Sequence, residues 1–183
     1  MKINRKNGLL DIGLYIESPN SDERPAQQSA ELIVIHNISL PPGQFGGAYI
    51  EQLFTNQLQP EDHPYFETIH QLNVSSHILI DRKGEITQFV PFHKRAWHAG
   101  ESNYCGREAC NDFSIGIELE GTDNEPYEEI QYRQLADLIN ELQSAYPSLD
   151  KDGITGHCDI APQRKTDPGP AFDWGHLKQL LQN

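Results

Sequence analysis

Glu31-Leu32-Ile33-Val34-Ile35-His36 is a short apolar run, rich in β-branched residues and bounded by polar ones. Val and Ile favour extended backbone, and an unbroken apolar run needs cover on both faces, so this segment reads as a buried strand. Working outward, Pro41-Pro42-Gly43 and Gly46-Gly47 break the chain, and Ile50, Leu53 and Phe54 recur at helical spacing, predicting a helix over 48–57. Ser76–Asp81 is the next strand, and Lys83-Gly84 turns it into a hairpin partner over Glu85–Val90. Asp112–Glu118 is another strand.

Glu128–Tyr146 is the strongest helix. Ile130, Leu135, Leu138, Ile139 and Leu142 form its apolar stripe, Glu128 and Glu129 complement the dipole at its start, and Pro147 ends it. A short strand over Gly153–Gly156, a Pro/Gly-rich loop over Pro162–Pro170 and a helix over Trp174–Leu181 complete the chain. Strands with interspersed helices predict the α/β class: one domain over 1–183, with a mixed central β-sheet flanked by helices.

The chain carries 14 basic and 27 acidic residues, a net charge of −13. That balance excludes nucleic acid and anionic membranes as main partners. No stretch approaches the roughly 20 apolar residues of a membrane span. The N-terminus starts basic, but Asp11 interrupts the apolar block Leu9–Ile16 and no small-residue cleavage site follows. The expected compartment is therefore the cytoplasm. Cys105, Cys110 and Cys158 cannot all pair and are expected as reduced thiols with structural roles.

Among eight histidines, His63, His70, His93 and His176 lie in polar stretches and read as surface or packing residues. His77 begins a strand and His98 follows Trp97, so either can line a pocket. His36 closes an apolar strand, which presents its imidazole at a strand end. The segment Gly156-His157-Cys158-Asp159-Ile160-Ala161-Pro162-Gln163-Arg164-Lys165-Thr166-Asp167-Pro168-Gly169 adds an imidazole, a carboxylate and an ammonium in one loop. Two imidazoles and a carboxylate are a three-donor set for catalytic zinc. On composition alone, a polar loop in which Arg164 and Lys165 balance Asp167 fits equally well. Cys158 competes as a donor, but neighbours on an extended chain point opposite ways, which favours Asp167 as the partner of His157.

In Ser114-Ile115-Gly116-Ile117-Glu118-Leu119-Glu120-Gly121, alternation puts Ile115, Ile117 and Leu119 on one face and Ser114, Gly116, Glu118 and Glu120 on the other. Gly116 leaves space beside Glu118, suiting a carboxylate that faces a cleft and takes a proton from water. A solvent-facing polar strand face is the competing reading, and suits Glu120 as well.

The stretches Ile33–Asn37, Ser75–Gly100, Asn111–Gly121 and Thr155–Trp174, in that order, resemble the AmpD-type 1,6-anhydro-N-acetylmuramyl-L-alanine amidases. Those enzymes share a superfamily with phage amidases and peptidoglycan-recognition proteins. The resemblance implies one Zn2+ per chain on His36, His157 and Asp167, Glu118 as proton acceptor and Lys165 as stabiliser of the tetrahedral oxyanion. It places Asn37, Trp97 and His98 along the substrate groove. It implies action on anhydro-muropeptides in cell-wall recycling, which lowers the muropeptides that induce β-lactamase; the chain is expected to act as a monomer. Phage and animal relatives often carry Cys at the Asp167 position and Tyr where Glu118 acts. Asn73 and Ala109 depart from the pattern, standing where relatives carry arginines.

Overall fold

The computed structural model describes residues 1–26, 28–149 and 152–182. Its central sheet holds six strands: β1 (Leu14–Tyr15), β2 (Leu32–Ile38), β3 (Ile78–Ile80), β4 (Ile86–Gln88), β5 (Ser114–Glu120) and β6 (Ile154–Gly156). Their spatial order is β6-β2-β5-β3-β4-β1. β2 lies parallel to both β6 and β5, β5 is parallel to β3, and β3–β4 is the antiparallel hairpin expected around Lys83-Gly84. The sheet is therefore mixed.

Helices α1 (Tyr49–Phe54), α2 (Glu129–Ala145), α3 (His157–Ile160) and α4 (Trp174–Leu181) complete the α/β architecture. Ile33 and Ile35 of β2 and Ile115, Ile117 and Leu119 of β5 share one face. They pack with Leu135, Leu138, Ile139 and Leu142 of α2 in a single core cluster. Each such fully buried side chain contributes roughly 1.5–3 kcal/mol relative to exposure. α2 matches its expected bounds to within a residue. Ile130, however, is 39% exposed and covers the turn glycine Gly84 instead of joining the core. Gln131 replaces it as the inward residue: the buried amide donates to the carbonyls of Ile80 and Glu120. Those carbonyls sit at the ends of β3 and β5, so a polar residue anchors the helix where the sheet runs out of internal partners.

β5 begins two residues later than expected, because Cys110–Asp112 winds into a 3-10 turn. All seven of its residues are buried, so the polar face does not meet solvent. Glu120 accepts from the backbone N–H groups of Gly46 and Arg82. Arg82 also lies over the Phe45 ring. Glu120 thus tethers the glycine-rich loop between β2 and α1 to the sheet. The three cysteines are free, with Cys105 exposed, Cys110 buried and Cys158 between.

Candidate active site

The second face of the sheet carries the chemistry. In the parallel register of β2 and β5, Leu32 pairs with Ser114, Val34 with Gly116 and His36 with Glu118. Alternation then sets His36 and Glu118 side by side at the C-terminal end of the two central strands, where open α/β sheets bind ligands. β6 runs beside β2 and passes straight into α3, which begins with His157. Gly156 makes that junction possible, since a Cβ there would stand 2.9 Å from Pro168 Cδ. The backbone N–H of Cys158 donates to the Asp167 carbonyl at 2.9 Å, folding the loop back so that Asp167 faces His157.

His36 Nδ1 stands 2.9 Å from His157 Nδ1 and 3.0 Å from Asp167 Oδ2, and His157 Nδ1 stands 3.0 Å from the same oxygen. Among the described residues, these three form a group whose donor atoms all lie within 4.8 Å of one another. The fit to a metal can be tested on His157. Its Nε2 faces the Ala99 carbonyl at 3.2 Å, which can only accept, so the ring proton sits there and Nδ1 offers a lone pair. A nitrogen lone pair aimed at a carboxylate oxygen suits a cation between them, and the donor chemistry fits zinc. Cys158 lies outside the group, as expected, but for a different reason: the segment is the first turn of a helix, not an extended chain.

Burial lowers His36 to a pKa of about 4, which keeps its ring neutral. For Asp167, burial alone would favour the protonated acid, but the His157 and His36 rings against it hold the carboxyl below the usual range. Glu118 is 8% exposed. Its Oε1 lies 4.0 Å from His36 Nδ1, and among the described residues its buried Oε2 has no hydrogen-bond partner. Burial, reinforced by the Asp167 charge and opposed by Lys165, pushes its pKa well above the usual carboxylate value. A carboxyl with one partnerless oxygen and a raised pKa is poised to exchange a proton.

These groups floor a cleft of about 350 Å³ whose wall includes Lys165, His98 and Asn37. Asn37 is braced by donating to Asp123 at 2.8 Å. The opposite wall is apolar, formed by Phe54, Tyr65, Ile69, Leu72 and Val74. Of this wall, Phe54 ends the helix expected over 48–57, but sequence reading placed nothing beyond it. Its two short 3-10 turns, Pro60–Asp62 and Pro64–Thr68, carry no helical or strand periodicity, and the prolines that open them are the signal available. Trp97 is not among the residues lining this cleft; its indole N–H donates to Asp22. His77 lies behind His98 and is buried, accepting from Gly116 N–H and donating to the Lys94 carbonyl. A larger concavity of about 620 Å³ opens beside Arg164 and is lined in part by Glu101, Ser102 and Ala109, without any of the donor group. Arg164 is spent on the carbonyls of Ala99 and Glu101. Asn73 is exposed.

Comparison with known proteins agrees with this architecture. Residues 26–170 match the N-acetylmuramoyl-L-alanine amidase family. The 1,6-anhydro-N-acetylmuramyl-L-alanine amidase AmpD of Salmonella typhimurium (strain SL1344) is 58% identical over 174 residues, covering 95% of this chain and 92% of that protein. A crystal structure of a selenomethionine AmpD derivative superposes with a TM-score of 0.95 at 55% identity, covering 99% of both chains. The N-acetylmuramyl-L-alanine amidase AmiD from Escherichia coli, solved with anhydro-N-acetylmuramic acid-L-Ala-D-gamma-Glu-L-Lys, superposes at 0.60 with 32% identity, covering 86% of this chain and 60% of that one. Near-complete coverage by AmpD in both sequence and fold makes this chain an amidase, a member of the N-acetylmuramoyl-L-alanine amidase family.

Proposed function

We propose that this chain hydrolyses the amide between the lactyl group of 1,6-anhydro-N-acetylmuramic acid and L-alanine of the stem peptide, as a zinc enzyme of cell-wall recycling. The observation that carries this reading is the convergence in one cleft of His36, His157 and Asp167 beside Glu118, whose Oε2 has no hydrogen-bond partner among the described residues. The three side chains would hold one Zn2+, and the whole of 1–183 would act as a single amidase domain. Zinc supplies Lewis acidity, polarising a carbonyl and lowering the pKa of water toward neutrality.

The chain's own residues do the rest. Glu118 takes the proton of the attacking water, whose oxygen bonds to the lactyl carbonyl carbon, and returns that proton to the alanine nitrogen as the C–N bond breaks. Burial and the Asp167 charge favour the protonated state that this return needs. Lys165, in the cleft wall, offsets charge growing on the carbonyl oxygen; one such donor is worth about 3–4 kcal/mol in comparable sites. Asn37, fixed by Asp123, offers its remaining acceptor and donor capacity to the substrate, with His98 behind the donor group. Trp97 shapes the groove by holding its own segment against Asp22 rather than by contact.

The substrate class rests on the match to AmpD and on AmiD with its anhydro-muramyl peptide. Among the described residues no helix is long and apolar enough to cross a membrane. We place the enzyme in the cytoplasm as a monomer, acting on soluble fragments. Mass-spectrometric turnover of anhydro-muropeptides, with and without chelator, tests this reading. Release of the intact stem peptide only in the metal-loaded enzyme is expected. Turnover that survives complete chelation would refute the metal chemistry, and cleavage confined to insoluble wall would refute the substrate.

A further inference from the structure

Behind His36 lies a chain of hydrogen bonds that the hydrolytic chemistry does not use. His36 Nε2 is 2.9 Å from His98 Nδ1, and His98 Nε2 is 3.1 Å from Ser114 Oγ. Ser114 Oγ is in turn 2.6 Å from the Cys110 carbonyl. A carbonyl oxygen has no proton to give, so the direction of every link follows from this last one. Ser114 spends its only proton on Cys110 and must accept from His98. His98 therefore carries its proton on Nε2 and presents a lone pair at Nδ1. His36, facing that lone pair, carries its own proton on Nε2. Its Nδ1 is left as a lone pair aimed at His157 and Asp167.

The ring of His98 is also seated rather than loosely packed. It lies on Gly116 of β5, where an added Cβ would come within 2.5 Å of His98 Cγ. The backbone N–H groups of His98 and Ala99 both donate to Asn111 Oδ1, which pins the segment that carries the ring. His157 needs no such relay, because the Ala99 carbonyl sets its tautomer directly. Among the described residues no backbone carbonyl is hydrogen-bonded to His36 Nε2, and two side chains carry the instruction from Cys110.

The geometry points to His98 as a positioning residue, which with Ser114 locks His36 in the Nε2–H tautomer and so presents Nδ1 for metal binding. This rests on the zinc reading above and departs from the expectation that His98 contacts substrate. Outer partners of this kind typically contribute about 10–100-fold in metal affinity.

The test uses the full-length chain. Zinc affinity is measured by competition with a chelating dye, and ring 15N chemical shifts report which nitrogen of each histidine carries the proton. In the wild type, His98 and His36 are expected to show protonated Nε2 with unprotonated Nδ1. His98→Leu removes the acceptor and should weaken zinc binding about 10–100-fold. His98→Asn returns a carbonyl oxygen near the Nδ1 position and should recover most of that loss, which a purely steric role would not. Ser114→Ala leaves the ring in place and removes its acceptor; zinc binding several-fold weaker, in a folded chain, is expected, and this variant serves if His98→Leu does not fold. Wild-type zinc affinity in Ser114→Ala or His98→Leu, or a proton on His98 Nδ1 in the wild type, would overturn the proposal. A wild-type chain that takes up no zinc would overturn the metal reading and the proposal with it. A chain that takes up zinc while the variants bind it equally well would remove the positioning role alone.

Discussion

His36 and Glu118 are direct neighbours across two parallel strands, with Nδ1 of one 4.0 Å from Oε1 of the other. The proposed cation donor and the proposed proton-transfer carboxyl are thereby placed by sheet register, without any loop to position them. The two roles are separable by substitution. Glu118→Gln keeps the shape of the side chain and should lower kcat by about 10²–10⁴-fold. Zinc content per chain, measured on the same sample by elemental analysis, should stay at the wild-type value. A fall in zinc content would mean that Glu118 belongs to the donor set.

Asp167→Asn does the reverse. It removes the anionic member of the donor group while leaving Glu118 in place, and should weaken zinc binding by at least about 100-fold, beyond what loss of an outer partner usually costs. With free zinc at 100 times its Kd, the metal adds about 2.7 kcal/mol to stability. Chelation should then lower the wild-type Tm by about 5–10 °C for a chain of this size. The Asp167→Asn Tm should be indifferent to chelator, which differential scanning calorimetry checks.

Gly116→Ala probes the seat of His98. The added methyl would meet the ring at 2.5 Å from Cγ and backbone on either side prevents β5 from yielding. Overpacking of this kind costs about 2 kcal/mol, or about 4–8 °C in Tm. Zinc affinity should fall with it, because the ring has to move away from His36. A variant with wild-type stability and affinity would show that the ring is free to shift.

His77, behind His98 and outside the cleft lining, gives the chain a pH dependence of its own. Burial, with help from the Arg24 charge, lowers its pKa from 6.5 to about 3. The unfolded chain therefore binds a proton below about pH 6.5 that the folded chain refuses. The sign follows: stability falls as pH drops from 6.5 toward 3, by about 1.4 kcal/mol per pH unit from this one imidazole. Urea unfolding of wild type and His77→Gln at pH 7.5, 6.5 and 5.5 isolates the effect. The gap between the two proteins should narrow as pH falls, since the variant lacks the refused proton.

The strands and α2 were legible because their residues announce burial locally. Ile33, Ile35 and the stripe Leu135, Leu138, Ile139 and Leu142 need only the period of their own segment. The cleft face of β5 was harder. Ser114, Gly116 and Glu118 look like a wetted face until another segment is known to lie on them, and His98 is brought there by pairing and by Asn111. His36, His157 and Asp167 could be named as candidates from their residue types, with an equally good polar-loop alternative; the family resemblance decided between them. Ser114 was not singled out, since a hydroxyl gains its meaning from the ring above it and the Cys110 carbonyl below it. Ile130 had the right spacing for the stripe, yet the helix turns it toward Gly84 and Gln131 inward.

The donors also have a mechanical consequence. His36 belongs to a central strand, whereas His157 lies 121 residues further on, just beyond the outermost strand of the sheet. A cation gripped by both would act as a cross-link closing a very long loop, and long closures restrict the unfolded chain most. The same grip would rivet the short edge strand Ile154–Gly156, which has three paired positions of its own, to the middle of the molecule. Two of the three donors, His157 and Asp167, thus come long after His36 in the chain, so a chain cut short of residue 157 would lack both and should bind no metal at this site.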